Sequence, residues 1–514
     1  MTTPVGAEAQ GDSSLRAWGI AVCAVLVVTL PILLHPHLPL IDLPNHIARH
    51  YIAANPGTAL DAYYSYSFAM NGNATGDLLW LAVGQHLTDV FTFSAYLMSV
   101  YAGGLVLAAF VLGRVFHGYW SIMPLAAVLV VFNTPFFWGF QNYLLTVPLA
   151  LFALAAWLHF EGARPWARAI AFLPVSYLLF QLHILGFLIF LVSAFGREVQ
   201  RLVMAGRFWL DHLKANLVLA VPFLPPVGLI LWRVLTGARN AYGNRTAYGS
   251  WDDRQAMVTS LVDTVETTGT RSLSLTGTVV MVLLAGIVLF LARQGGVRLR
   301  LSSRALGPAI ALLILCLAIP ATLDGVGFVH VRFPFVLLVV LLAGASLHGA
   351  TPRGAVMIFA IFAVAALGRS AAFERYAAEH SADMADLSVV LDAVPDGARV
   401  MPIRAISGVG WHVQAHAVPQ AEAFVPTLFL GAHALSVSDK WKDLTAAQGI
   451  SVSARNVLGP EKLPDDRLFR YARGWRENFT HALIVGNLSE EMRTGENLRL
   501  LARAGRFEVY AIPD

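Results

Sequence analysis

About eleven apolar stretches, most of them near the roughly 20 residues that a membrane-crossing helix needs, follow one another over residues 17–370. They fall near 17–34, 93–115, 119–133, 143–160, 167–182, 184–197, 214–235, 274–293, 304–321, 333–349 and 353–370. Hydrophobic residues make up 57% of the 514 and charged ones only 13%. With a mean hydropathy of +0.62, this describes a polytopic α-helical membrane protein. The 167–197 region reads as one long tilted helix or as two short ones broken near His183. Residues 75–90 are apolar and aromatic but hold Asp77, His86 and Asp89, which predicts a helix lying in the interface.

Charge is segregated along the chain. Of the 68 Asp, Glu, Lys and Arg residues, 33 lie in residues 371–514 and 35 in the first 370. The expected organisation is therefore a short cytoplasmic tail (1–15), a membrane domain (16–370) with an outer loop at 35–92, and an α/β domain at 371–514. A net charge of +4 is too mild to point to nucleic acid. Cys23 and Cys316 both sit in apolar stretches and form no metal-ligand spacing.

Basic residues set the orientation. With the N-terminus inside, twelve Lys and Arg fall in short inner loops, Arg114, Arg164, Arg197 and Arg304 among them, against six in the longer outer loops before residue 371. This fits the positive-inside rule. An odd number of spans then puts the C-terminal domain outside; the Ala/Arg-rich composition looks bacterial, so a bacterial inner membrane is the expected location. In the C-terminal region, 371–394 reads as an amphipathic helix leaving the membrane. Strands are expected at 399–403, 424–430, 482–485 and 507–512, and a helix at 488–504. His412, His416 and His433 read as surface or packing residues.

The polar residues that could do chemistry collect on the outer side. Asp42 stands just after the first span, in Ile41-Asp42-Leu43-Pro44-Asn45-His46. A carboxylate so near a bilayer is costly to place and reads as functional. Asp before Pro44 also suits a helix start, so a capping role stays open. Arg49, His50, Asp61 and Asp77 share the loop, and His46 and His50 lie one helical turn apart. In the tight turn Asn133–Asn142, Trp138 and its aromatic neighbours suit an interfacial belt, while Gln141 and Asn142 suit contact with a sugar. His183 interrupts an apolar run and must face protein or water. Arg332, two residues after His330, stands at the mouth of a span. It is a candidate phosphate ligand, because guanidinium donates two parallel hydrogen bonds, or else an interfacial anchor or a partner for Asp324.

This layout resembles the GT-C glycosyltransferases: an outer-loop aspartate after span one, many spans, and a C-terminal α/β domain. The string Asp42-Leu43-Pro44-Asn45-His46-Ile47-Ala48-Arg49 is similar to the first-loop motif of bacterial members. Trp138-Gly139-Phe140-Gln141-Asn142-Tyr143 and Val331-Arg332-Phe333-Pro334 are similar to further recurrent segments. The resemblance implies an enzyme that moves a sugar from a polyprenyl phosphate or pyrophosphate to an outer glycan, lipid or protein acceptor. Asp42 would be the general base. Asn45, His46, Arg49, Gln141, Asn142, His183, His330 and Arg332 would bind substrate. Many members pair two acidic residues in this loop, whereas Asp42 has no acidic neighbour; a divalent ion, Mg2+ or Mn2+, therefore stays open as a cofactor. Two other readings share the lipid-linked substrate: a flippase or transporter, and an O-antigen polymerase or ligase.

Overall fold

The computed structural model describes residues 5–70, 72–236, 246–261, 298–348, 352–405, 411–430, 434–446, 451–459, 461–464, 467–490 and 498–513, with single positions at 279, 282, 286, 290 and 492. Ten of the expected apolar stretches coincide with helix: α1 (Val5–Leu33), α3 (Val90–His117), Met123–Val130, α4 (Gln141–His159), α5 (Pro165–Leu182), α6 (Ile184–Met204), Leu224–Leu235, α7 (Ser303–Ala318), α8 (Pro334–Gly344) and α9 (Pro352–Leu391). The eleventh, 274–293, lies almost wholly outside the described residues, as does much of the 236–273 loop. Five helical runs among the described residues are long and apolar enough to cross a bilayer, and three more apolar ones are shorter.

Local chemistry explains where these helices start, stop and touch. Asp89 caps α3 by accepting hydrogen bonds from Phe91 N (2.9 Å) and Thr92 N (3.0 Å). Gly118, at φ +77°, ends it. The 167–197 region is two helices, and His183 is the break. Its backbone is extended (φ −163°, ψ 125°), and its Nδ1 accepts the Leu185 N–H at 3.1 Å. A break in mid-helix frees backbone groups that a bilayer cannot satisfy. Here the outer loop satisfies them: Gly72 O accepts from Ile184 N at 3.0 Å, and Ala74 N donates to Leu182 O at 3.1 Å. Helices α6 and α7 approach closely because both carry glycine at the crossing. A Cβ on Gly196 would stand 2.4 Å from Gly307 O.

The ends of the helices sort by side. At one end Glu161 accepts from Arg197 (2.6 Å) and Arg304 (3.0 Å), and Glu198 from Arg168 (3.1 Å) and Arg201 (2.7 Å). These are the basic loops expected inside. At the other end lie Asp42, Gln141, His183 and Arg332, together with the C-terminal region. The helical stretch 75–87 turns Asp77 and Trp80 inward and leaves Leu79, Val83 and Leu87 exposed, as a helix lying in the interface would.

Helix α9 runs 40 residues without interruption into the C-terminal region. There it packs Met384, Leu387 and Leu391 into a second hydrophobic core, which also takes Ile52, Leu60 and Tyr64 from the outer loop. This core surrounds a five-stranded sheet. The strands, with β1 (Tyr64–Tyr66), β2 (Arg298–Leu301) and β3 (Ala345–His348) before them in the chain, are β4 (Val400–Arg404), β6 (Val452–Ser453), β7 (His481–Val485), β8 (Arg499–Ala504) and β9 (Phe507–Ala511). The order is β6-β4-β7-β9-β8; β6, β4 and β7 are parallel, and β9 is antiparallel to β7 and β8. β5 (Leu435–Val437) pairs with β1, and β2 with β3. Two expectations fail. The 488–504 helix is replaced in its described C-terminal part by β8, because Arg499–Ala504 continues the β9 hairpin through the turn at Gly505. Of 424–430, Phe424 alone forms a bridge, to Arg399, because Pro426 interrupts the run.

Single cysteines in a background lacking Cys23 and Cys316 check the sidedness. Exposed Ala62→Cys and Ala163→Cys are expected to react with a membrane-impermeant maleimide from opposite faces, Ala62→Cys in intact cells and Ala163→Cys after permeabilisation.

Candidate active site

Asp42 is placed by backbone before its side chain does anything. Ile41 N and Asp42 N donate to Phe137 O and Trp138 O, both at 2.9 Å. The turn that offers these carbonyls closes at Gly139, in the left-handed region at φ +75°. A Cβ there would meet Leu43 N at 3.1 Å and Asp42 N at 3.3 Å, so the close approach needs glycine. Asp42 is the N-cap residue of α2 (Leu43–Ala54), with Pro44 in the first turn, yet its carboxylate makes no capping hydrogen bond. That leaves the side chain available for other work.

The carboxylate faces two basic groups from distant parts of the chain. His412 Nε2 lies 3.5 Å from Asp42 Oδ1. Arg332 acts on Asp42 through its charge, but burial is the larger effect and pushes the carboxyl up to about 7. Its side chain still keeps 15% exposure, which leaves an approach for a second molecule. Arg332 lies over the Phe140 ring, 3.9 Å from its centroid, and donates to Phe328 O and Gly327 O at 3.3 and 3.4 Å. The Tyr143 hydroxyl donates to the Arg332 carbonyl. Trp138, packed on Phe328, Phe140 and Trp411, forms the aromatic wall beside Asp42. Asn45 accepts from Phe429 N at 3.2 Å.

Beneath α2 lies a second, buried layer. Arg49 and Asp77 form a two-bonded ion pair (2.7 and 3.0 Å) in which the side chains are 1% and 5% exposed. Arg49 Nη2 also stands 3.1 Å from His46 Nδ1; guanidinium only donates, so Nδ1 is the acceptor. His50 Nε2 lies 3.6 Å from Asp77, and burial holds its imidazole down to about 4, so it is neutral. Asn142 accepts the Gly76 N–H at 2.8 Å and donates to Asn73. Both polar atoms of the Gln141 amide are buried without a partner, with its oxygen 3.2 Å from where a Gly76 Cβ would be. His183 meets this layer through its backbone bridge to Asn73 and its ring against Tyr143.

The nine residues expected at the site therefore separate. Asp42, Asn45 and Arg332 stand at the mouth, and His46 joins it to the layer of Arg49, Gln141, Asn142 and His183. His330 lies apart, against the helix Trp251–Thr259 and the charges of Asp253 and Arg254. Arg49, read as a substrate ligand, is enclosed by its ion pair and acts on the mouth through His46. His412, read as packing, touches Asp42 instead. His416 is buried between His37 and Phe91, as packing requires, and His433 lies outside the described residues. Asp77 is the organising partner that the candidate set lacked; its signal was its place as a second carboxylate in the same loop.

Among the described residues no three His, Cys, Asp or Glu side chains gather as metal ligands. Asp77, the other carboxylate buried in the first loop, is bound to Arg49.

No protein-family model and no curated protein matches the chain by sequence. Solved structures do match by shape. ArnT from Cupriavidus metallidurans in the apo state aligns with TM-score 0.53 over 98% of this chain and 99% of its own, at 12% identity. The same protein bound to undecaprenyl phosphate aligns with TM-score 0.51 over 96% and 97%, also at 12% identity.

Removing one side of the buried pair tests the inner layer. Asp77→Ala leaves the Arg49 guanidinium enclosed without its counter-charge and is expected to cost about 3–5 kcal/mol, read as a large fall in the unfolding midpoint of detergent-solubilised protein. The architecture, a polytopic helical domain with a small C-terminal sheet, shares its fold with ArnT.

Proposed function

We propose that this protein transfers a sugar from a polyprenyl phosphate or pyrophosphate to an acceptor hydroxyl on the outer face of a bacterial inner membrane. The observation that carries the reading is that Asp42, at one partly open mouth, lies within the electrostatic reach of Arg332, nearly 300 residues away in sequence. The shared fold supports it, and undecaprenyl phosphate bound to ArnT supplies the class of lipid. Residues 371–514 form the outer domain in this reading, continuous with the first loop through their common core.

The chemistry follows from the two groups. The acceptor hydroxyl donates its hydrogen bond to Asp42. As its oxygen attacks the anomeric carbon, the proton passes to the carboxylate, and the bond from that carbon to the phosphate oxygen breaks. The electron pair leaves on the polyprenyl phosphate, whose charge needs stabilisation but no proton. Arg332 supplies this: two of its five N–H groups are given to backbone carbonyls, and the rest remain for phosphate oxygens. A single displacement inverts the anomeric carbon. Burial assists the base, because a carboxyl near 7 takes a proton more readily than one near 4 and is still half ionised at neutral pH. An apolar cavity of about 580 Å3 between α4 and α5, ending at Leu182 beside His183, offers room for part of the lipid tail.

Release of polyprenyl phosphate from a panel of lipid-linked sugars tests the reading. Asp42→Asn should lower transfer about 10²–10⁴-fold without loss of folding; full activity in that variant would remove the base assignment. Because the active form is the carboxylate, kcat/KM in the wild type should fall as pH drops through about 7. Intact lipid-linked sugar crossing a liposome bilayer, with no release from any donor, would identify a flippase instead.

A further inference from the structure

Asp42 has a second basic neighbour, and it comes from the C-terminal region. His412 immediately precedes the turn Val413–His416, and its carbonyl accepts from Ala415 N at 2.9 Å. That turn and the helix after it, Ala417–Ala421, lie against α2, the helix that Asp42 begins. Phe429 closes the arrangement. Its backbone N–H is held by Asn45, three residues after Asp42, and its ring stands edge-on to His412, with centroids 5.1 Å apart. The imidazole is only 5% exposed and points its Nε2 at Asp42 Oδ1 from 3.5 Å.

We propose that His412 is a positioning residue for Asp42: it donates to Oδ1 and so keeps Oδ2 as the atom that receives the acceptor's proton. The C-terminal region then completes the catalytic mouth. The inference rests on the assignment of Asp42 as base and adds the group that governs it. A carboxylate has two equivalent oxygens until something distinguishes them. A donor fixed on one leaves the other directed at substrate and stabilises the ionised form against burial. Arg332 also favours the ionised form, but its two backbone acceptors and its stacking on Phe140 hold it on the aromatic side. The other titratable groups nearby are His46, one turn along α2, and Arg49 behind it. The turn 137–140 packed on the Asp42 backbone is Phe-Trp-Gly-Phe and carries no titratable side chain.

The test reads Asp42 itself. Infrared difference spectra of purified protein, titrated with pH and blanked against Asp42→Asn, report the protonated carboxyl directly. His412→Phe keeps a ring but removes the donor. His412→Asn, too short to reach, serves the same purpose should phenylalanine not fold, and His412→Gln restores an N–H near the original Nε2. The expected result is an Asp42 midpoint raised by about one pH unit in the Phe and Asn variants and unchanged in Gln. Transfer at pH 6 should then fall about tenfold, with an alkaline plateau within about twofold of wild type. An unmoved midpoint in the Phe and Asn variants would overturn the proposal, as would an equal loss at every pH in all three. A raised midpoint in a protein that transfers no sugar would support the pairing and overturn the transferase reading.

Discussion

The buried pair of Arg49 and Asp77 organises the end of this protein that carries Asp42. It joins α2 to the start of the interfacial helix, two parts of one loop with only a short 3-10 turn and the three-residue strand β1 as regular structure between them. Around it the loop arranges its remaining polar groups: His46 on the guanidinium, His50 beside the carboxylate, and Trp80 donating to the His50 carbonyl at 2.7 Å. Charges so enclosed are costly unless each is answered with good geometry, and here two parallel hydrogen bonds answer them. The pair thereby orients α2, and α2 carries Asp42 at its first turn.

A second consequence concerns the division of labour in the site. The inner layer pairs its two charges with each other, while the charges at the mouth are less completely answered. Asp42 is enclosed but uncapped, and Arg332 gives only two long hydrogen bonds to carbonyls. Such incompleteness costs stability, and under the proposed reaction it leaves the mouth ready for a phosphate and a hydroxyl. His183 shows the same economy: one residue ends α5, caps α6 and brings the outer loop to the bilayer mouth.

The helical framework was legible because apolar stretches of bilayer length have little alternative in lipid, and ten of them coincide with helix. Asp42, Arg332 and Asn45 were legible as polar residues at span mouths, where burial demands a reason. The His412 contact was not, since nothing in its neighbours marks it. It arises from the docking of two segments about 370 positions apart, and no periodicity records that. The β8 strand was misread for a related reason. Arg499–Ala504 has helix-forming residues, but its pairing with β9 outweighs their intrinsic preference. The enclosure of Arg49 depends on Asp77, 28 residues away, so the sequence alone presents it as one more free cation.

Helix α9 gives the molecule a mechanical character. Its 40 residues would span about 60 Å at 1.5 Å per residue, and no flexible linker separates the membrane segment from the C-terminal sheet. The C-terminal region is mounted on a rod, and its angular setting follows the helix at about 100° per residue. A loop connection would tolerate length changes; this one behaves as a keyed shaft. Inserting or deleting a single residue in its middle would rotate the sheet and carry His412 away from Asp42 without altering either residue. Evolutionary drift in this helix is therefore restricted in phase more than in composition.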